Sequence, residues 1–173
     1  MDLFDAKSAA LIQALQQQQV AYLLVGGYAV NIHGYSRGTG DMDIWIRATA
    51  DNVLRLVAAF EACGYVLDGL ADYAPQVPTQ GLSLRIIDEP FVLDVMTHIN
   101  GVQFDAAYAH HKTYDLDGLE IHLIHRNDLV LNKLTSAREK DIADVRSLQY
   151  IEAYWNGKKL DVYEKPTPQQ PEG

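Results

Sequence analysis

Three aspartates in apolar surroundings are the residues of this sequence best suited to chemistry. Asp41 and Asp43 lie two residues apart in DMDIWIR, and Asp94 stands between Leu93 and Val95 in FVLDVMT. A strand alternates faces, so Asp41 and Asp43 project the same way from it. Two carboxylates this close repel each other unless a cation lies between them. Carboxylate oxygens are the ligands that Mg²⁺ prefers, and a pair of such ions stabilises the attacking and leaving oxygens of a phosphoryl displacement.

Asp94 is the predicted third member of this set. A lone carboxylate is costly to bury unless it is paired or bound to a metal. We therefore predict that Asp94 is a metal ligand and the general base that takes the proton of an acceptor hydroxyl. The alternative interpretation of Asp94 is that it is an edge-strand residue that pairs with Arg85. The alternative interpretation of Asp41 and Asp43 is that they lie on a solvent-exposed face of their strand.

A glycine pair, Gly26-Gly27, directly precedes this acidic segment. It follows the wholly apolar run 20–25, which is typical of a strand buried on both faces. A glycine turn from a strand into a helix presents backbone N–H groups to an anion such as a nucleotide phosphate. The alternative is that the glycines only allow close packing of the helix on the strand.

Hydrophobic periodicity and turn residues predict the elements that position these groups. Helices are predicted at 5–19, at about 51–63 with Thr49 or Asp51 as the cap, near 102–110, and over 128–155 in one or two pieces with Asp128 as the first cap. Strands are predicted at 20–25, 41–47, 82–87 and 91–97, with a hairpin around Asp117-Gly118. The stretch 69–80 is predicted to be a loop that forms a flap or a wall of the site. The fold class is α/β (or α+β), with a mixed central sheet flanked by helices.

Composition favours one globular domain at 1–155 and a polar, disordered tail at 156–173. The chain has 173 residues, of which 48% are apolar, and a formal charge of −9, which argues against non-specific binding to nucleic acid. No apolar run approaches the roughly 20 residues of a membrane-spanning helix. The single cysteine, Cys63, and the absence of a secretory signal predict a cytoplasmic protein with no membrane association.

The stretch GGYAVNIHGYSRGTGDMDIWI resembles the signature of the nucleotidyltransferase superfamily, which has the DNA polymerase β-like fold. It is most similar to the minimal bacterial branch that includes abortive-infection type E toxins and small antibiotic-modifying nucleotidyltransferases. That pattern is Gly-Gly, a spacer, and Arg-x-Thr-x-Asp-x-Asp, and the matching residues are Gly26, Gly27, Arg37, Thr39, Asp41 and Asp43. The later strand carboxylate of the family matches Asp94. A C-terminal stretch resembles the helix that closes the site, with polar positions at Lys133, Arg138, Lys140, Asp141 and Asp144.

The resemblance implies a role for each matched residue. Gly26 and Gly27 would hold a triphosphate, and Lys133 would reach the nucleotide phosphates. The three aspartates would bind two Mg²⁺ ions, for which Mn²⁺ can substitute. Arg37 and Thr39 would either contact phosphate or fix their own loop by hydrogen bonds. Arg138, Lys140 and Asp141 would either touch substrate or form an exposed helix face.

One departure concerns the residue after the first glycine. Many members of the superfamily have a serine there whose hydroxyl helps to bind phosphate, whereas Gly27 supplies no side chain. Members of the minimal branch share this substitution.

The function that the resemblance implies is Mg²⁺-dependent transfer of a nucleoside monophosphate from an NTP to a hydroxyl acceptor, with release of pyrophosphate. The acceptor is left open between a small molecule, a protein side chain and a tRNA 3′ end. A toxin restrained by an antitoxin protein is a further implication of the resemblance alone. The alternative of a different class is a non-catalytic module of the same fold that binds a nucleotide or a protein partner.

Overall fold

The computed structural model describes residues 4–116 and 118–156. The helices of this part of the chain are α1 (Ala6–Gln17), α2 (Gly26–Ile32), α3 (Ala50–Ala62), α4 (Leu70–Tyr73), α5 (Val77–Gln80), α6 (Phe104–Ala109), α7 (Arg126–Ser136) and α8 (Glu139–Trp155). The strands are β1 (Tyr22–Val25), β2 (Met42–Ile46), β3 (Ser83–Asp88), β4 (Phe91–Met96), β5 (Lys112–Leu116) and β6 (Leu119–Leu123).

The six strands form one mixed sheet in the order β3-β4-β2-β1-β6-β5. β2 runs parallel to β4, and β1 runs parallel to β6. The other neighbouring pairs are antiparallel. The predicted α/β class with a mixed, helix-flanked sheet is confirmed.

Burial explains why the central strands form where they do. Every residue of β1 is buried, as the uninterrupted apolar run predicted. In β2 only Asp43 is not fully buried, and Trp45 packs edge-on against Phe104 with ring centroids 5.1 Å apart. Asp43 is therefore the one residue of this otherwise apolar strand whose side chain lines a cavity.

Helix α3 is tied to the sheet by its caps and by one buried amide. Thr49 is the N-cap, as predicted, and its hydroxyl accepts a hydrogen bond from the Asn52 backbone N–H. The Asn52 side chain accepts from the Ala21 N–H and donates to the carbonyls of Ala21 and Arg47. These bonds satisfy backbone groups at the ends of β1 and β2 that would otherwise be buried without partners.

The predicted loop at 69–80 is wrong, because this segment forms α4, a 3₁₀ turn (Ala74–Gln76) and α5. Pro75 and Pro78 stand in first-turn positions, where a missing N–H costs no hydrogen bond. Leu70, Ala74 and Val77 are buried in the hydrophobic core. The segment therefore packs inward on α3 instead of forming a flap or a wall of the site.

The predicted cap of α7 is also wrong. His125 is the N-cap, and its Nδ1 accepts a hydrogen bond from the Asn127 N–H, while Asp128 lies within the first turn. α8 is a separate helix, because Ala137 adopts φ +52° between α7 and α8. The predicted hairpin is formed by β5 and β6, and its Asp117 lies outside the described residues, as does the predicted tail from residue 157 onward.

Helices long and apolar enough to cross a bilayer are absent from the described residues.

Candidate active site

A polar cleft of about 520 Å³ opens where β1, β2 and β4 meet the loop before β2 and the junction of α7 and α8. It brings together all eight residues predicted for the site: Gly26, Gly27, Arg37, Thr39, Asp41, Asp43, Asp94 and Lys133. Further lining residues include Arg85, His98, Asn100, Asn132, Ser136, Arg138 and Lys140.

Sheet register places the carboxylates side by side. Asp43 of β2 and Asp94 of β4 are partners on adjacent parallel strands, so their side chains leave the same face of the sheet. Asp41 lies just before β2 and lines the same cleft. Arg85 stands opposite Asp94 on the antiparallel strand β3.

The Arg85 guanidinium lies between two of these carboxylates. Its Nη1 is 3.2 Å from an Asp94 oxygen, and its Nη2 is 3.6 Å from an Asp41 oxygen. Arg85 is 55% exposed, and both of its partners retain solvent access. The position between Asp41 and Asp94 is therefore one that attracts a cation.

Asp43 is the most enclosed member of the trio. Burial, followed by the charges of Asp41 and Asp94, raises the pKa of Asp43 to about 6, against an ordinary value of 3.8. A hydrogen bond from the Gly27 N–H and the charge of Lys133 lower this pKa only in part. An added cation would lower the pKa of Asp43 and further favour its ionised form.

Position 26 must be glycine because the Asp43 side chain packs directly against it. A Cβ at position 26 would overlap the Asp43 carboxylate and lie 2.8 Å from the Asp43 Cβ. Gly26 also has φ +63°, a conformation that side chains disfavour. The glycine thus lets an acidic strand residue sit against the start of α2.

A buried ionic network forms the wall opposite the carboxylates. Lys133 Nζ lies 3.1 Å from Asp141 and 2.7 Å from Asp144. Arg37 donates two hydrogen bonds to Asp144, and Arg138 donates to Asp141 at 2.6 Å. The three cations share two carboxylates, which leaves one net positive charge.

The network ionises both of its carboxylates in spite of burial. Burial alone would raise the pKa of Asp141, but hydrogen bonds from Arg138 and Lys133 outweigh it and lower that pKa. Asp144 is held ionised in the same way by Arg37 and Lys133. Lys133 is only 5% exposed, so most of its side chain serves this network and only its edge reaches the cleft.

The sequence of the whole region identifies the family. The family model described as "nucleotidyltransferase of unknown function (DUF6036)" matches residues 2–156. The chain belongs to this nucleotidyltransferase family. No curated protein is significantly similar to it.

Solved structures with similarity to this nucleotidyltransferase are distant. They include the solution structure of the antibiotic-resistance factor ANT(2'')-Ia (12% identity, TM-score 0.49, 86% of this chain and 88% of that one). A putative nucleotidyltransferase (TM1012) from Thermotoga maritima has 11% identity and a TM-score of 0.49, with coverage of 86% and 89%. The crystal structure of ANT(2'')-Ia with adenylyl-2''-tobramycin has 12% identity and a TM-score of 0.49, with coverage of 86% and 94%. Similarities of this size carry no inference about the substrates of this chain.

The donor set of this nucleotidyltransferase suits a hard divalent cation in an open site. Asp41, Asp43 and Asp94 offer carboxylate oxygens, and Arg85 shows that a positive group is accommodated beside them. No three His, Cys, Asp or Glu side chains within residues 4–116 and 118–156 are arranged as a complete metal cluster. Mg²⁺ commonly takes only one or two carboxylates and completes its shell with water and substrate phosphates.

The far end of the cleft is neutral. Asn132 donates a hydrogen bond to the Asn100 carbonyl, and the Asn100 amide donates to the Ser136 hydroxyl at 3.4 Å. These bonds hold the turn after β4 against α7. The nucleotidyltransferase cleft therefore has a charged half and a hydrogen-bonding half.

Two features of the site are missed by reasoning from the sequence. The sequence suggests Arg85 only as a partner of Asp94, and its approach to Asp41 depends on the β3–β4 register. The ionic network depends on the sharp reversal at Ala137, which brings Asp141 and Asp144 back onto Lys133.

Lys140 lines the cleft and forms no ion pair with another described residue.

Proposed function

We propose that this chain transfers a nucleoside monophosphate from an NTP to a hydroxyl acceptor and releases pyrophosphate. The observation that carries the proposal is the register of Asp43 with Asp94 on parallel strands, in a cleft whose opposite wall is cationic. A metal–triphosphate complex needs this combination, since carboxylates bind the cation and positive groups bind the phosphates. Family membership supports nucleotidyl transfer in general.

Each group of residues has a distinct part in the proposed reaction. Asp41, Asp43 and Asp94 would hold Mg²⁺ or Mn²⁺, which would neutralise charge on the reacting phosphate. Arg37 and Lys133 would orient the triphosphate beside the Gly26-Gly27 turn. These residues fix the nucleotide so that the acceptor oxygen approaches the α-phosphorus in line.

Asp94 is the proposed general base. It lies on the rim of the cleft, 21% exposed, and so can accept a proton from an incoming hydroxyl. Arg85 must move from Asp94 or share it when the acceptor binds. The proton would leave the acceptor oxygen as that oxygen forms its bond to the α-phosphorus and the bond to pyrophosphate breaks.

The acceptor class is tested by labelling. Each α-³²P-labelled NTP is incubated with Mg²⁺ and with lysate separated into RNA, protein and metabolite fractions. We expect label in one fraction with wild type and none with Asp41→Asn, while the exposed-site control Asp68→Asn retains activity. No labelled product and no pyrophosphate release in any fraction would overturn the proposal.

A second candidate function is nucleotide binding without turnover. It is favoured by the Arg85 guanidinium, which lies between Asp41 and Asp94 where a metal ion would otherwise bind. NTP binding that is saturable, together with no pyrophosphate release by wild type or by Arg85→Ala, would favour this candidate.

We also propose that the protein works in the cytoplasm and that its activity is restrained by an antitoxin protein. Support for the first is the lone cysteine, Cys63, which leaves no disulfide within the chain. The second is tested by induced expression in a bacterial host. Growth arrest by wild type and normal growth with Asp41→Asn would support a toxin, and normal growth with both would oppose it.

A further inference from the structure

A side chain at position 27 has no room, and the obstacle is Thr39. A Cβ built on Gly27 would overlap Thr39 Oγ1, lie 2.8 Å from Thr39 Cβ and lie 3.5 Å from Arg37 Nη1. The φ of Gly27 does not lie in the left-handed region, unlike that of Gly26. Contact with Thr39, and not backbone conformation, therefore excludes a side chain at this position.

The loop that carries Thr39 is held rigidly. The Asn31 side chain accepts a hydrogen bond from the Arg37 N–H and donates one to the Arg37 carbonyl. Arg37 is fixed in turn by two hydrogen bonds to buried Asp144 and by one from its Nη1 to the Gly38 carbonyl. Thr39 thus follows closely after a residue that is anchored to both α2 and α8.

The hydroxyl of Thr39 is weakly engaged within the protein. Its one hydrogen bond to a described residue reaches the Asp41 carbonyl at 3.3 Å, which is long for an O–H donor. The neighbouring Gly27 N–H already faces the Asp43 carboxylate. A phosphate at this end of the cleft would therefore find the Thr39 hydroxyl better placed to donate than the Gly27 N–H.

We propose that Thr39 is the hydroxyl-bearing phosphate ligand of this site and occupies the position that a side chain at residue 27 would otherwise fill. The inference rests on the proposed function, because it names one contact of the triphosphate. It also makes Gly27 and Thr39 a matched pair, since the cleft has room for only one of the two side chains. Arg37, beside the same position, supplies the charge that favours an anion there.

The test measures binding of sodium tripolyphosphate and of each NTP by titration calorimetry with Mg²⁺. Tripolyphosphate lacks a base and a ribose, so it reports the phosphate contacts alone. Thr39→Ala is expected to weaken its binding about tenfold, as loss of a hydrogen bond to a charged group would, and Thr39→Ser to stay within about threefold of wild type. The matched control is Thr79→Ala, because the Thr79 hydroxyl also donates to a nearby backbone carbonyl but lies outside the cleft.

Variants at positions 27 and 39 test directly whether the cleft has room for only one of the two side chains. Gly27→Ser alone should lose binding and lower the melting temperature, whereas Gly27→Ser/Thr39→Gly should recover both, since the new hydroxyl then has room. Equal binding by wild type and Thr39→Ala, or a double variant as poor as Gly27→Ser, would overturn the inference and leave the proposed function standing. Failure of wild type to bind any NTP or tripolyphosphate would instead overturn the proposed function.

Discussion

The buried position of Lys133 leads to a sharp prediction for Lys133→Met. This change keeps the length of the side chain but removes its charge from between Asp141 and Asp144, which are 1% and 2% exposed. Removing one partner of a buried ionic pair typically costs about 3–5 kcal/mol. Each carboxylate would keep one guanidinium, from Arg138 or Arg37, so we expect a loss of about 3 kcal/mol in the free energy of unfolding.

The assay is urea unfolding at neutral pH, with Lys7→Met as the control. Lys7 pairs with Asp88 at 2.6 Å, a shorter distance than Lys133 to Asp144, but both side chains are 44% exposed. An exposed pair contributes about 0–1 kcal/mol, so Lys7→Met should have little effect. Asp144→Asn should cost less stability in the Lys133→Met background than in wild type, because the Lys133–Asp144 pair is already absent there. A loss below about 1 kcal/mol for Lys133→Met, or an equal cost of Asp144→Asn in both backgrounds, would refute the structural role of the network.

Three further predictions concern the carboxylate side of the cleft. In metal-free protein, the folded state binds the Asp43 proton up to pH of about 6 and the unfolded state only to about 3.8. The contribution of Asp43 to stability should therefore fall by up to about 3 kcal/mol as pH rises between these values. Asp43→Asn should abolish that fall in urea titrations at several pH values, and an unchanged profile would contradict the raised pKa. Arg85→Ala should strengthen Mn²⁺ binding a few-fold in paramagnetic-resonance titrations without nucleotide, because a competing cation is removed from Asp41 and Asp94; weaker binding would show that Arg85 supports the site. Gly26→Ala should lose metal binding and destabilise the protein by more than Gly64→Ala, which has a similar positive φ of +83° but open space around it; equal losses of stability in calorimetry would rule out the contact with Asp43.

The sequence predicts most of the sheet because its signals are strong and local. The apolar run at 20–25 and the alternation in 41–47 can satisfy burial only as strands, and Thr49 and Gly64 mark the limits of α3. The wrong loop at 69–80 has a physical cause. Helices of one turn gain little from propensity, so α4 and α5 depend on packing with α3, which no local pattern reveals.

For the site as well, the sequence predicts the residues that lie close together in the chain but not the contacts that depend on tertiary packing. Asp41, Asp43 and the glycine pair lie close in the chain and could be grouped from spacing and resemblance. The bridging place of Arg85 depends on strand register, and the burial of Lys133 depends on the packing of α7 against α8. Spacing along the chain does not reveal these contacts, so the sequence alone predicts neither the place of Arg85 in the site nor the ionic network around Lys133.

Because β2 pairs directly with β4, the site should tolerate changes of length in the turn between these strands but not within β4. About fifty residues separate Asp43 from Asp94, including α3 and the short helices, yet the two side chains are neighbours through direct strand pairing. Insertions next to the exposed Asp68, in the turn at 64–69, should leave the carboxylates together. Deletion of one residue inside β4 would rotate Asp94 to the opposite surface of the sheet and leave Asp43 without its neighbour.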